Sequence, residues 1–212
     1  MKKPSDALHT VFAVLISAFL TVLIPLLAGK KTDSLPRVYT LQGVITVLCF
    51  GLWPLLLKVR TWPGSHPEKR ISVLILTAAA FGGIAAQFVF GFLTEAWIGW
   101  TGIQREPGIP LPGNFAEWAA ALAVLVILPA AAEEGFFRGM MQRGFSEIMP
   151  VPAATFLTTL LFASAHMSLN ALPSLLLFGA AASVLAVKGG KLTYSIAFHL
   201  TYNLTALVLS VL

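Results

Sequence analysis

The sequence predicts an all-α, polytopic membrane protein, and three observations carry that prediction: of its 212 residues 57% are hydrophobic, only 11% are charged, and the mean hydropathy is +0.84. Soluble domains carry about a quarter charged residues, so a water-soluble globule is excluded. At the ~20 apolar residues that one bilayer crossing needs, the chain has room for about seven membrane helices and little extramembrane structure. Cys49 is the single cysteine, so no intrachain disulfide is possible; it lies in an early apolar stretch with no histidine nearby and reads as core packing. The formal charge of +5 and the pI near 9.6 do not point to nucleic acid, because the basic residues sit singly or in pairs at span ends, with no basic stripe.

The apolar stretches run over 8–28, 38–57, 71–93, 116–132, 151–166, 172–187 and 195–212. The first follows Lys2 and Lys3 as a signal peptide would. It is long for a signal h-region, however, and reaches Lys30 and Lys31 without a clear small-residue cleavage site, so it reads as a retained span. Gly/Pro-rich connections at Trp62–Pro67 and Pro107–Asn114, and the short turn Lys188–Lys191, join the stretches. No linker, repeat or low-complexity tract divides the chain, and 1–212 reads as one transmembrane domain.

Orientation follows from counting Lys and Arg on the two sides. Lys2, Lys3, Lys58, Arg60, Lys69, Arg70, Arg138, Arg143, Lys188 and Lys191 fall on the side of the N-terminus, against Lys30, Lys31, Arg37 and Arg105 on the other. The bias predicts a cytoplasmic N-terminus, and it survives the removal of Arg138, which belongs to the interior.

Asp6, Asp33, Glu68, Glu95, Glu106, Glu117 and Glu147 fall in loops or near span ends, where water solvates them. Glu133 and Glu134 do not: they follow the apolar run Ala119–Ala132, and Arg138 comes four residues after Glu134. With the acid on the N-terminal side, that spacing favours an i,i+4 ion pair. Glu133 points about 100° away from Glu134 and is left to face a cavity. His9 and His66 are in polar flanks, whereas His166 shares a helix face with Phe162, and His199 shares one with Asn203. Three helices thus bring polar groups into the bilayer zone, where each ionisable group costs several kcal/mol unless it is paired or wet. A shared cavity is the economical explanation. At ~1.5 Å per residue, Glu133 and His166 each lie ~20 Å into their spans from opposite ends, so tilt or unwinding has to bring them level. His199 lies near the cytoplasmic end of its span, so the expected site opens to the cytoplasmic half.

A Glu beside a neutral His can position and deprotonate a water for attack on a carbonyl, and imidazole and carboxamide donors such as His199 and Asn203 can stabilise the oxyanion. The alternative is a zinc ion held by Glu133, His166 and His199, since two His and one carboxylate form a catalytic ligand set. An aspartyl dyad is excluded because Asp6 and Asp33, the only aspartates, are both near the N-terminus. The His-Glu-x-x-His helix is absent, and no Gly-x-Ser-x-Gly elbow surrounds Ser164. Phe136, Phe137 and Phe162 read as packing.

Glu-Glu-x-x-x-Arg at 133–138, Phe-x-x-x-His at 162–166 and His-x-x-x-Asn at 199–203, in that order on late membrane helices, resemble the CPBP or Abi family, which comprises type II CAAX prenyl endopeptidases and bacteriocin-processing enzymes. The resemblance covers about the last hundred residues and makes 116–212 the expected catalytic core. It implies that Glu133 and His166 activate the attacking water, that His199 and Asn203 form the oxyanion site, and that Glu134 with Arg138 holds the helix and orients the catalytic Glu. The family is described both as metal-dependent and as glutamic. The glutamic type, which requires no cofactor, is favoured here, with zinc as the alternative. The expected partners are the bilayer and a membrane-associated peptide, leader or sorting tail, in a bacterial cytoplasmic membrane. A non-enzymatic scaffold, or a carrier that binds through the same polar groups, is the competing function; a carrier would predict paired half-repeats with broken helices, and none is found.

Overall fold

The computed structural model describes residues 35–53, 71–105 and 111–212, with a few helical residues between 13 and 24. Most of the first expected span, the Trp62–Pro67 connection, and Lys2, Lys3, Lys30, Lys31, Lys58, Arg60, Lys69 and Arg70 lie outside the described residues. Among the described residues the regular structure is all helical. Helix α1 is Leu35–Ile45, continued by a π-helical stretch Thr46–Gly51. It is followed by α2 (Val73–Thr101), α3 (Phe115–Ser146), α4 (Val151–Ala165), α5 (Leu172–Gly189) and α6 (Leu192–Leu209). Helices α2, α3, α5 and α6 are long and apolar enough to cross a membrane, while α4 is a shorter apolar helix. This is an all-α, multi-pass membrane architecture.

Local chemistry sets the helix ends. Ser72 caps α2 by accepting from the Ile75 amide, and Gly102 ends the helix at φ 68°, a left-handed turn that favours glycine. Asn114 accepts from the Glu117 amide, and the Glu117 carboxylate reaches back to the Gly113 amide at 2.7 Å, a reciprocal arrangement at the N-terminus of α3. Pro152 and Pro173 stand in the first turns of α4 and α5, where a missing N–H costs nothing.

Helix α3 is not uniform. It passes through π-helical stretches at Leu122–Ile127 and Glu134–Gln142, separated by the α-helical segment Leu128–Glu133. Pro129 sits inside this helix and cannot donate to the Leu125 carbonyl one turn earlier, while its ring crowds that oxygen. The Leu125 carbonyl instead accepts from Asn203 Nδ2 at 3.1 Å. A proline, a local change of winding and an anchor from α6 therefore occur together, one turn before Glu133.

Contacts between helices give the relative directions. Ser72 donates its amide to Tyr194 Oη at one end of α2, and Phe90 meets Tyr202 further along, so α2 and α6 run parallel. They approach closely at Gly83, where a Cβ would overlap the Phe198 carbonyl oxygen and the Thr201 hydroxyl; Thr201 Oγ1 also donates across to the Ala80 carbonyl at 2.8 Å. Small residues permit this backbone approach, and the polar contact ties the pair in an apolar setting. Ser174, at the start of α5, donates to the Phe90 carbonyl and pairs with the Thr94 hydroxyl near the far end of α2, so α5 runs against α2. Val73, Leu74, Phe81, Phe92 and Trp100 on α2 are strongly exposed, an apolar outer face suited to lipid. Inside, Phe50, Phe136, Phe137, Phe162 and Phe178 form a continuous chain of ring contacts with centroids 5.1–5.5 Å apart. Cys49 is fully buried in the same core.

Candidate active site

The polar groups singled out in the sequence come together in pairs, on α3, α4 and α6. Glu134 and Arg138 are both completely buried and pair at 2.8 Å through Nη1 and Oε1. The same carboxylate oxygen accepts from His199 Nδ1 at 2.9 Å, so Glu134 is bound to a histidine on another helix. Arg138 Nη2 donates to the Gly179 carbonyl on α5 at 3.1 Å, and its guanidinium lies 4.5 Å from the centre of the Phe162 ring. Such stacking adds cation–π attraction in a desolvated place. The arginine thus ties α3 to α5 and α4, and the glutamate ties α3 to α6.

Glu133, also buried, turns away from this pair toward α4, its Oε2 standing 3.8 Å from His166 Nε2. That is too long for a direct hydrogen bond, and Glu133 Oε2 has no hydrogen-bond partner in the protein. His166 is the C-terminal cap residue of α4, and its Nδ1 lies 2.9 Å from the Phe162 carbonyl. A carbonyl only accepts, so Nδ1 carries the proton, and the neutral ring turns the lone pair of Nε2 toward Glu133. Met167 follows at φ 48°, a left-handed conformation uncommon for a residue with a side chain, which turns the chain directly after the histidine. The His166 side chain keeps 31% exposure, against 6% for Glu133 and 4% for His199, so the group opens on the His166 side.

His199 is constrained in a parallel way. The acceptor at its Nδ1 is a carboxylate, so that nitrogen carries a proton and Nε2 points away from Glu134. Its ring lies edge-on to Phe178, with centroids 4.7 Å apart. Asn203 stands one turn further along α6 and uses one Nδ2 hydrogen on the Leu125 carbonyl, leaving the other. Asn170 does not join the group, because its Nδ2 donates to the Gln104 carbonyl in the loop after α2. Phe136, Phe137 and Phe162 pack in the core, but Phe162 does more than fill space: its carbonyl fixes the tautomer of His166 and its ring faces Arg138.

Sequence reasoning missed Gly179, Phe178 and Gln142. Gly179 supplies a carbonyl and a close approach, since a Cβ there would lie 3.2 Å from Thr159 Cγ2 and 3.3 Å from the Phe162 ring. Gln142 was open to discovery, as it extends the Glu134 to Arg138 spacing by four more residues. Among the described residues, no three His, Cys, Asp or Glu side chains converge as a metal-binding group. Of the three zinc candidates, Glu133 stands beside His166, whereas His199 bonds Glu134 through Nδ1.

Comparison with known proteins adds one match. Residues 115–205 match the family model described as type II CAAX prenyl endopeptidase Rce1-like, a span that includes all three motifs and every helix from α3 to most of α6. No curated protein and no solved structure matches the chain. Over residues 115–205 the chain is therefore similar to the type II CAAX prenyl endopeptidase-like family, in agreement with the resemblance carried by its three motifs.

Proposed function

We propose that this protein is an intramembrane endopeptidase that hydrolyses a peptide bond of a membrane-associated peptide with a water activated by Glu133 and His166. The observation that carries the reading is the gap between them: an unpartnered, buried carboxylate oxygen stands 3.8 Å from a histidine lone pair. A water seated there donates one hydrogen to each group, which leaves its oxygen lone pairs free to attack. As that oxygen bonds to the scissile carbonyl carbon, Glu133 takes the proton as general base. When the tetrahedral intermediate collapses and the C–N bond breaks, Glu133 returns the proton to the leaving amine.

The developing oxyanion is held by the remaining Asn203 Nδ2 hydrogen and by His199. A neutral His199, with its proton on Nδ1, presents only an acceptor at Nε2, so donation to the oxyanion requires the doubly protonated ring, with the Glu134 carboxylate as its counter-ion. Glu134 is then a positioning residue for His199, and Arg138 is the cation that keeps Glu134 ionised in an apolar interior. No metal ion takes part in these steps. We place the protein in a bacterial cytoplasmic membrane with its N-terminus in the cytoplasm, in accord with the excess of Lys and Arg on that side.

The test is a comparison of peptide termini in membranes carrying the wild-type protein or Glu133→Gln at matched levels. The substitution removes the base while keeping shape, so activity is expected to fall ~10²–10⁴-fold with the unfolding temperature unchanged. An unchanged set of termini, with the variant complementing a deletion, points instead to a scaffold. An active preparation that binds stoichiometric zinc and loses activity on chelation would replace the metal-free reading.

A further inference from the structure

Glu134, Arg138, Gln142 and Ser146 recur every four residues along α3 and form one polar stripe from the buried centre to the end of the helix. Helix α4 runs against α3, as the Glu133–His166 and Gln142–Thr155 contacts require. Helix α3 also runs against α6, as the Leu125–Asn203 and Glu134–His199 contacts require. Since α6 is parallel to α2 and α5 antiparallel to it, α5 runs with α3. The three helices can therefore be read in levels. At the first, Arg138 meets the Gly179 carbonyl, and Gly179 lies against Thr159. One turn on, Gln142 Nε2 donates to Thr155 Oγ1 at 2.8 Å, and helical spacing brings Ser183 to the same level. At the third, the half-buried Ser146 donates to the Gln142 carbonyl at 2.7 Å.

Four side-chain atoms on the first two levels have no hydrogen-bond partner in the protein: Arg138 Nε, Thr159 Oγ1, Gln142 Oε1 and Ser183 Oγ. Arg138, Gln142 and Ser183 are 0% exposed and Thr159 is 6% exposed. Donors and acceptors in an interior of this kind cost ~1–3 kcal/mol each when left unsatisfied, and native proteins satisfy nearly all of them. Here they are not scattered, since they line one seam on levels about one helical turn, ~5 Å, apart. A buried water makes about three hydrogen bonds to such groups, and that spacing suits a row of waters.

We infer that the seam between α3, α4 and α5 binds a file of ordered water running from Arg138 to Ser146, which joins the buried centre to the aqueous phase at the end of α3. The file supplies water, or relays protons, to the inner, Arg138 side of the site, away from the side that opens at His166. The hydration of the seam stands independently of the peptidase reading, whereas its supply role rests on it.

The experiment uses the full chain in detergent micelles. Thr159→Val keeps the shape and deletes one hydroxyl. In a hydrated seam it removes water-mediated bonds, and the unfolding temperature is expected to fall by a few degrees. In a dry seam the substitution removes an orphaned polar atom, so an unchanged or raised unfolding temperature overturns the proposal. Ser183→Val, which crowds the file without touching Glu133, His166, His199 or Asn203, is expected to lower kcat about tenfold at unchanged KM. A lowered Thr159→Val stability with normal Ser183→Val turnover would overturn the supply role and keep the hydration. A wild-type protein with no peptidase activity would overturn the peptidase reading alone, leaving the stability result to decide the seam.

Discussion

Glu134–Arg138 and Glu95–Arg105 are the same chemical pair in opposite settings. The first bonds at 2.8 Å with both side chains 0% exposed; the second is bidentate, at 2.8 and 2.5 Å, with its arginine 63% and its glutamate 56% exposed. By geometry alone the outer pair is the better one. Yet an exposed pair gains little in high dielectric and is screened by salt, whereas a buried pair sits where either charge alone is intolerable. The inner pair also has further ties, to His199, the Gly179 carbonyl and the Phe162 ring, so four helices depend on it. The comparison teaches that distance does not rank ion pairs; what else is buried with them does.

The largest effect is expected where the inner pair is broken on one side. Arg138→Leu leaves Glu134 charged in an apolar interior and is expected to cost about 3–5 kcal/mol of stability, read as a large drop in unfolding temperature and lost expression. The double variant Glu134→Leu/Arg138→Met removes both charges, so it is expected to be more stable than Arg138→Leu alone, a non-additivity that only a buried, coupled pair shows. It is also expected to be inactive, because His199 loses the acceptor that orients it. Equal instability of the single and double variants would mean that the ties to His199 and Gly179, rather than charge, carry the effect.

A smaller effect tests whether the apolar wall of the bundle is as exacting as its polar centre. Gly83 lies where α2 meets α6, and a Cβ there runs into both the Phe198 carbonyl oxygen and the Thr201 hydroxyl. Gly83→Ala is expected to cost about 1–3 kcal/mol by overpacking, and because Phe198 adjoins His199 the displaced helix also carries the histidine. Thermal unfolding reads the first consequence and turnover the second. A variant with normal stability would show that α2 simply moves out into the lipid.

Much of this was legible in the sequence because membrane burial makes polar residues conspicuous. Glu133, Glu134, Arg138, His166, His199 and Asn203 stand out against apolar surroundings, and the four-residue spacing of Glu134 and Arg138 gives their pairing. The helices from α2 to α6 follow the apolar stretches, with α2 and α3 running further into their flanks than hydropathy indicates. What the sequence concealed was how Glu133 and His166 come level. The π-helical stretches of α3 are local changes of winding that hydropathy cannot register, although Pro129 marks the neighbourhood of one of them. The partner of His199 was equally hidden. Glu134 and His199 are 65 residues apart, and only the antiparallel packing of α3 and α6 decides which of the two carboxylates the ring meets.

The smallest effect is expected at the outer pair, and it closes the comparison from the other side. Arg105 lies beyond the left-handed turn at Gly102, and it reaches back to Glu95 on the last turns of α2. Both side chains are more than half exposed, so Arg105→Ala frees Glu95 to be solvated rather than stranding it. The expected shift in unfolding temperature is about a degree at low salt and vanishes as ionic strength rises and the Debye length shrinks to a few ångströms. Arg138→Leu, whose charges are shielded from ions by protein, is expected to keep its full deficit across the same salt series. A salt-independent loss at Arg105 would instead show that the pair clamps the end of α2 by geometry, with its two parallel hydrogen bonds fixing the chain after Gly102 so that the loop offers the Gln104 carbonyl to Asn170. In that case the outer pair, like the inner one, would owe its worth to what it positions.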